Sequence, residues 1–317
     1  MAIYYNKTKV STSSGIREKE SSLGKKLLEG DIEDGEVIDL KDFGVTQLRP
    51  YAFYGFSNPF DSSAKVAQVL LPSSITDLPV NCFGNTSHIT LSPLSYPQIK
   101  KVDASCFSGN SAISGEVSFP SCTEFVGTGN FWGTKILSAS FPLLKKIPPY
   151  GFYWCNKMSS ASFPLASAST GLCFCGCSSL TSVSLPSVES MGNYCFQQCT
   201  SLTSIALPSL TAANSYAFAK SSLAKIDISS LCTLYSCAFQ EDSALTSLIL
   251  RSSSSLCTLA NVNAFNSTPV ANDTTADTVG YIYVPSNLID SYKTADNWST
   301  FADHFRAIED YPEICGE

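Results

Sequence analysis

Thirteen cysteines, two histidines and fourteen tyrosines are the side chains of this 317-residue chain with reactivity or contact area to offer a site. Thiolates and imidazoles bind zinc or activate nucleophiles, and paired thiols oxidise to disulfides. The spacing argues against zinc. The densest cluster, Cys173-x-Cys175-x-Cys177, alternates, so an extended segment sends Cys175 to the opposite side, and no histidine stands near it in sequence. Neither His88 nor His304 stands beside a Ser or Cys nucleophile with an acidic orienter, and both read as surface residues. No G-x-S-x-G, phosphate-binding loop, H-E-x-x-H or nucleotide fingerprint occurs. The chain therefore reads as a non-enzyme with no metal and no cofactor.

Hydrophobic residues make up 44% of the chain, enough for a sizeable core, whereas charged residues make up only 15% against a usual ~25%. The net charge of −7 argues against nucleic acid, which needs clustered positive charge. No apolar run approaches the ~18 residues of a membrane span. Residues 1–26 are polar without an apolar core segment, so no secretory signal is visible. Charges crowd the ends: residues 1–50 hold 17 of the 47 and residues 285–317 hold nine. The middle is rich in serine, yet its apolar residues recur at strict intervals, which means it is folded.

That recurrence is a repeat. Proline falls at Pro120, Pro142, Pro164, Pro186 and Pro208, every 22 residues. A phenylalanine landmark falls at Phe53, Phe83, Phe107, Phe131, Phe152, Phe174, Phe196, Phe218, Phe239 and Phe265. Leu180, Val183 and Leu185 form L-x-x-V-x-L, and Leu202, Ile205 and Leu207 repeat it. The last two positions alternate with small polar residues, the mark of a half-buried strand, and proline ends the strand because it has no N–H for the ladder. A second apolar pair follows, as at Val188 and Met191 or Leu210 and Ala213. Units this short bury their apolar residues only by stacking on neighbours. The pattern predicts a repeat solenoid, mainly β, with about eleven parallel strands and short helical or turn segments on the return arm.

The phases also place the thiols. The residue before the landmark is Ala52, Cys82, Cys106, Gly151, Cys173, Cys195, Ala217, Ala238 or Ala264, so it must be small and buried. Three residues after the landmark stand Asn110, Cys155, Cys177, Cys199, Ser221 and Asp242, a turn position where a small group bonds or packs near backbone. Buried free thiols are expected: equivalent residues on adjacent rungs lie about 4.8 Å apart, but their Cβ vectors are parallel rather than convergent.

Two outward strips remain for binding. The strands present Ser118, Ser140, Ser162, Ser184 and Ala206, then Asp227, as a nearly uncharged ladder. Tyr51, Tyr150, Tyr194 and Tyr216 precede the phenylalanine by two residues, with Tyr54, Tyr153 and Trp154 close in phase. Tyrosine gives large contact area at low entropy cost. The contact residues expected are Tyr150, Tyr194 and Tyr216, with Lys225 and Asp227 marking the charged end of the sheet.

The L-x-x-L-x-L run with L-P after the strand (Leu207-Pro208) and aromatic-Ala-Phe or Cys-Phe-x-x-Cys in the returning arm (Tyr216-Ala217-Phe218; Cys195 to Cys199) resembles the BspA-like class of leucine-rich repeats over residues 36–308. The tail YIYVP at 281–285 with Tyr292-Lys293 and Asn297-Trp298-Ser299 is similar to the C-terminal end common in that class. The resemblance implies a right-handed leucine-rich-repeat superhelix, no catalytic residues, a protein or glycan ligand bound in an adhesion role, and a cell-surface or secreted bacterial location. An alternative is a structural component of a larger assembly, such as a phage particle or secretion apparatus.

The organisation expected is a charged segment or cap at 1–35, a solenoid at 36–284 and a helical cap at 285–317. Residues 16–29 are expected to form a short helix with Leu23, Leu27 and Leu28 on one side. Ile282 and Val284 should form a last strand, Ser286 should cap a helix containing Tyr292, and Phe301, Phe305 and Ile308 suggest further helical turns. Insertions at 58–65 and 266–280 interrupt the period.

Overall fold

The computed structural model describes residues 3–5, 17–20, 26–29, 37–41, 45–55, 67–91, 94–230, 232–273 and 275–316. The fold is a parallel-sheet β-solenoid of about 11 turns with little helix. A regular coil makes a strand, turns, often at a proline, makes a second strand of two residues, and closes through a tight turn that carries the phenylalanine. In one coil these parts are Ser182–Ser184, Pro186, Ser190–Met191 and the turn around Phe196. The return arm therefore carries a second parallel sheet rather than helix. Its two-residue strands hold the expected apolar pair: Ile147, Met191 and Ala213 are buried there.

The chain divides into two compact units. In the first, Met1–Leu144 with Tyr150–Cys155, strands Val37–Asp39, Ala67–Leu70 and Ile89–Leu91 pair in parallel, and Ser114–Ser118 pairs with Lys135–Ser140 across a bulge. In the second, Lys145–Pro149 with Asn156–Glu317, Ser204–Ala206, Lys225–Ile228, Ser247–Leu250, Tyr281–Val284 and Phe305–Ala307 form one sheet. Like phases face one another, as in Ile226↔Leu248 and Lys225↔Ser247.

Equal phase puts ring on ring. In the first unit Phe53, Phe83, Phe107, Phe131 and Phe152 stack with centroids 4.9, 5.5, 4.8 and 5.4 Å apart. In the second, Phe174, Phe196, Phe218, Phe239 and Phe265 stack at 5.0, 5.8, 5.3 and 5.6 Å. All ten are buried. Each such pair contributes about 0.5–1.5 kcal/mol beyond area burial.

The turn around each phenylalanine is laddered too. Tyr194, Phe196 and Gln198 donate their N–H groups to the carbonyls of Ser215, Ala217 and Ala219 in the next coil, at 3.0, 2.7 and 3.0 Å. The residues between them close local turns, Gln197 N–H to Tyr194 O and Cys199 N–H to Phe196 O. Among the described residues the one three past the phenylalanine is always buried, whether Thr86, Asn110, Thr134, Cys155, Cys177, Cys199, Ser221, Asp242 or Thr268. It bonds backbone as its phase predicts. The Asn110 carboxamide accepts from the N–H groups of Ala112 and Ile113, and the Asp242 carboxylate accepts from those of Leu223 and Ala244 and from the Ser221 hydroxyl.

Four expectations need correction. The described part of 16–29 is not helical: Arg17–Glu20 and Lys26–Glu29 pair antiparallel, with Ile3–Tyr5 as the third strand. A helix so short has little stability of its own, whereas a three-stranded ladder pairs its backbone groups. Phe305 is a strand residue, since Phe305–Ala307 pairs in parallel with Tyr281–Val284 and extends the main sheet. Ser286 caps no helix; its hydroxyl donates to the Glu309 carboxylate at 3.2 Å, and the helix Ile289–Thr294 has no side-chain cap. His304 is buried, its Nδ1 2.8 Å from the Gly280 carbonyl. The 58–65 insertion lies outside the described residues.

Two stability predictions follow from this packing. Phe196→Ala empties a site between two stacked rings and should cost roughly 3–5 kcal/mol in denaturant unfolding; a loss under ~1 kcal/mol would remove the ring stack from the core. Burial pushes the Asp242 carboxyl up to about 6 from its ordinary value of 3.8. The folded chain thus holds that proton more tightly than the unfolded chain. The group favours folding fully below pH 3.8, and this stability is lost as pH climbs through about 6. Asp242→Thr places there the residue found at Thr134 and Thr268. Parent and variant should diverge by roughly 1–3 kcal/mol between pH 4 and pH 7, the variant gaining. Parallel pH profiles would contradict the assignment.

Candidate recognition surface

The turn that closes a coil has two left-handed residues, two before and two after the phenylalanine, except at Phe265, where only Ser267 is left-handed. Tyr51, Asn81, Ser105, Tyr150, Leu172, Tyr194, Tyr216 and Cys237 hold φ between 53° and 61° or, for Asn81, 52° at the first position. At the second stand Gly55, Asn85, Gly109, Gly133, Trp154, Gly176, Gln198, Lys220, Glu241 and Ser267. This geometry lets alternate N–H groups point at the next coil, and it leaves most side chains of both positions at the surface, the buried Cys237 excepted.

A left-handed conformation costs a residue with a Cβ about 1–2 kcal/mol, and a bulky one is an outlier. Glycine and asparagine meet the geometry at less cost, and the chain uses them at several of these positions. Strain alone is not selective, since Gln198, Lys220 and Glu241 share it. Strain combined with a large surface ring is what sets Tyr51 and Trp154, which are exposed, and Tyr150, Tyr194 and Tyr216, which are half-buried, apart. Such strain concentrates where function maintains it.

In the first unit these rings join a cluster. Trp132 and Trp154 are 45% and 46% exposed, and Tyr150 and Tyr153 are half-buried. Trp132 stacks on Tyr150 at 5.9 Å and meets Tyr153 edge-on at 5.3 Å; Tyr153 meets Tyr150 at 5.4 Å and Trp154 at 6.1 Å. Tyr51 and Tyr54 make a smaller edge-on pair at 5.2 Å. In the second unit Tyr194 and Tyr216 stack at 4.8 Å, nearly parallel at 8°. The structure thus brings Tyr194 and Tyr216 together and gives Tyr150 a tryptophan partner. Trp132 escaped the sequence reading. Its signal was the position just after the landmark, shared by Tyr54, Trp132 and Tyr153.

The strand face differs. Ser182, Ser184, Ser204 and Ala206 are exposed and form an even, uncharged surface. Its charged end is occupied by the chain itself. Lys225 donates to the Ile314 carbonyl, and Arg251 donates to the Cys315 carbonyl while gripping Asp227 through Nε and Nη2 at 2.8 and 2.7 Å. Cys315 is buried against Ile249 and Tyr283, with Tyr311 edge-on to Tyr283 at 5.4 Å. Lys225 and Asp227 therefore sit half-buried beneath segment 308–315, not at an open end.

All thirteen cysteines are buried thiols. Among the described residues no His, Cys, Asp or Glu group is arranged to hold a metal, and no helix is long and apolar enough to cross a membrane.

A family model described as the BspA type leucine rich repeat region matches residues 38–159 and 171–286 in six copies. No curated protein matches the sequence. Among solved structures, a leucine-rich repeat protein from Bacteroides ovatus is 14% identical, with a TM-score of 0.45 over 94% of this chain and 99% of that one. A leucine rich cell surface protein from Faecalibacterium prausnitzii is 10% identical, with a TM-score of 0.37 over 95% and 94%. The pneumococcal vaccine antigen PcpA is 13% identical, with a TM-score of 0.37 over 95% and 98%.

Exposed aromatics in strained turns should be dispensable for folding. Trp154→Gly, which restores the residue type of Gly133 and Gly176, should leave stability within ~1 kcal/mol of the parent or raise it. A loss above ~2 kcal/mol would make the ring part of the core.

Proposed function

The chain belongs to the BspA-type leucine-rich-repeat family, and from that membership we propose that it is a non-enzymatic recognition module, of adhesion type, whose contacts are made by the aromatic turns. The observation that carries this reading is the set of large rings held in left-handed turns at the surface, Tyr51 and Trp154 exposed and Tyr150, Tyr194 and Tyr216 half-buried. Binding energy concentrates in Trp, Tyr and Arg anchors, while serine is under-represented among them. The aromatic turns therefore supply affinity, and the even serine face supplies shape. Tyr150, Tyr194 and Tyr216 are proposed contact residues, with Trp132 and Trp154 added from the geometry. Lys225 and Asp227 are proposed as anchors of segment 308–315. The partner is a protein or a glycan, and the proposed location is the bacterial cell surface, on the strength of the family. We further read 1–35 as a cap or charged leader to the repeats, 36–284 as the solenoid and 285–317 as its closing cap.

The tryptophans provide the test. Trp132 and Trp154 are exposed and Trp298 is buried. The full chain is screened on arrays of glycans and extracellular-matrix proteins, and each hit is titrated while acrylamide quenching of tryptophan is followed. A partner that docks on the aromatic turns should protect two of the three tryptophans. Combined Trp132→Ala, Tyr150→Ala and Trp154→Ala should weaken it by more than ~2 kcal/mol at unchanged melting temperature. Binding with undiminished affinity by that variant would move the contact surface elsewhere.

A further inference from the structure

Stacked coils bring thiols into register, and burial makes most of them inert. It pushes Cys122 and Cys155 up to about 12 and Cys175 to about 11, and raises Cys82, Cys106, Cys195 and Cys199 as well. One pair departs from this pattern. Cys232 and Cys257 each precede a residue of a parallel strand pair, Thr233 opposite Thr258, and their Sγ atoms are 3.6 Å apart.

Donors converge on the Cys257 sulfur. The Cys232 thiol points at it, and the Cys232 backbone N–H lies 3.4 Å from it. The Tyr292 hydroxyl accepts the Cys257 N–H at 2.8 Å, which leaves the phenol proton for the sulfur. The Trp298 indole N–H fixes the Cys257 carbonyl at 2.7 Å. Tyr292 and Trp298 are themselves buried. The titratable groups facing Cys257 are Cys232 on the preceding coil and Tyr292 on the helix Ile289–Thr294. Hydrogen bonding from Cys232 holds Cys257 down at about 7, against the desolvation that raises the other thiols, and Cys232 is pushed up in return.

A second close pair makes the contrast. Cys173 and Cys195 are 3.2 Å apart, and the Ser169 hydroxyl lies 2.9 and 2.8 Å from them, so three groups that can each donate or accept share one small cluster. Such an exchange does not select a thiolate, and Cys195 stays well above its ordinary value, chiefly through burial.

We propose that Cys232 and Cys257 form a peroxide-sensitive dithiol, in which a small hydroperoxide oxidises the Cys257 thiolate and Cys232 resolves the product into a disulfide between adjacent coils. The oxidant class follows from burial. Both side chains are at most 2% exposed, which denies access to a protein oxidoreductase and leaves a molecule of the size of hydrogen peroxide. The Cys257 sulfur attacks one peroxide oxygen; an S–O bond forms, the O–O bond breaks, and the departing hydroxide takes up the proton the thiol had released. The Cys232 sulfur then attacks the Cys257 sulfenic acid; an S–S bond forms, the S–O bond breaks, and the Cys232 proton leaves with hydroxide as water. Two thiols and one peroxide become one disulfide and two waters. Parallel Cβ vectors disfavour a bridge between adjacent coils in general, but here the two Sγ atoms already approach to 3.6 Å, and a Cα separation of about 4.8 Å is within disulfide range.

The experiment treats the full, reduced chain with hydrogen peroxide, alkylates the remaining thiols, and maps peptides without reductant. The Cys232–Cys257 bridge should form first, and the melting temperature should rise by roughly 5–10 °C. In Cys232→Ser, a cyclic diketone should trap sulfenic acid at Cys257 at least about tenfold faster than at Cys199, whose thiolate is suppressed. Tyr292→Phe should move the pH midpoint of Cys257 reaction upward from near 7 while circular dichroism confirms the fold. The proposal is overturned if Cys257 in the parent oxidises no faster than Cys199, if the bridge joins Cys173 and Cys195 instead, or if the midpoint in the folded Tyr292→Phe variant is unmoved.

Discussion

A coil of this fold has nowhere to hide an unpaired backbone group. Adjacent coils approach at β-sheet distance along their whole circuit, so N–H groups in the turns as well as the strands must meet a carbonyl of the next coil. Tyr194, Phe196 and Gln198 do so, as do Tyr51, Phe53 and Gly55. Much of the rest follows from this demand. It fixes the left-handed residues on either side of the phenylalanine. It keeps identical phases in register, which stacks rings 4.8–5.8 Å apart within each unit. It also keeps the residue before the phenylalanine small, Ala, Gly or Cys, in every coil but one, where the buried Asn130 donates its carboxamide to Val102 O and Asp103 O.

The same constraint explains why one buried phase tolerates Thr, Asn, Ser, Cys and Asp. After the ladder is satisfied, a coil still has carbonyls and N–H groups at the mouth of the closing turn. Thr134 gives its hydroxyl proton to Phe131 O, the Asn110 carboxamide donates to Phe83 O and Ile89 O, and the Cys199 thiol points at Phe174 O. A small group with one donor or a few acceptors completes the count. Asp242 does this as an acceptor of three bonds, and pays in desolvation, which is why its carboxyl titrates high.

Periodic features were legible in the sequence and single features were not. Phe174 to Phe239 announce the stack because a 21- or 22-residue step repeats, and Val183 or Ile205 announce strands by alternation. The two-residue strands of the return arm, such as Ala212–Ala213, were too short to show a period. At the ends no neighbouring copy confirms a reading, so Arg17–Glu20, Ser286 and Phe305 were misread. The tyrosine phase was visible, but its left-handed backbone was not, because Asn81, Leu172 and Cys237 occupy it too. Trp132 was hidden among Gly84, Ser108 and Gln197 at a phase that is aromatic in only three coils. Lys225 and Asp227 stood out by charge, yet their partner, segment 308–315, is 80 or more residues away and nothing local points to it.

Exposed rings and buried thiols are opposite outcomes of one register. A side chain repeated at a fixed phase either faces its copies inside the stack or beside them on the surface. Inside, contact is obligatory, and a thiol opposite a thiol is inert unless the surroundings break their equivalence. At Cys232 and Cys257 the break comes from outside the repeat: Tyr292 and Trp298 belong to the closing segment and bond only the later coil. On the surface, repetition multiplies a weak contact. A ring such as Tyr194 gains a parallel, stacked neighbour in Tyr216 at little cost in ordering, since both backbones are already held by the ladder. Preorganised aromatic faces lose less entropy on binding than free ones, so a fold that must hold its turns rigid to satisfy its own backbone presents those rings ready for a partner.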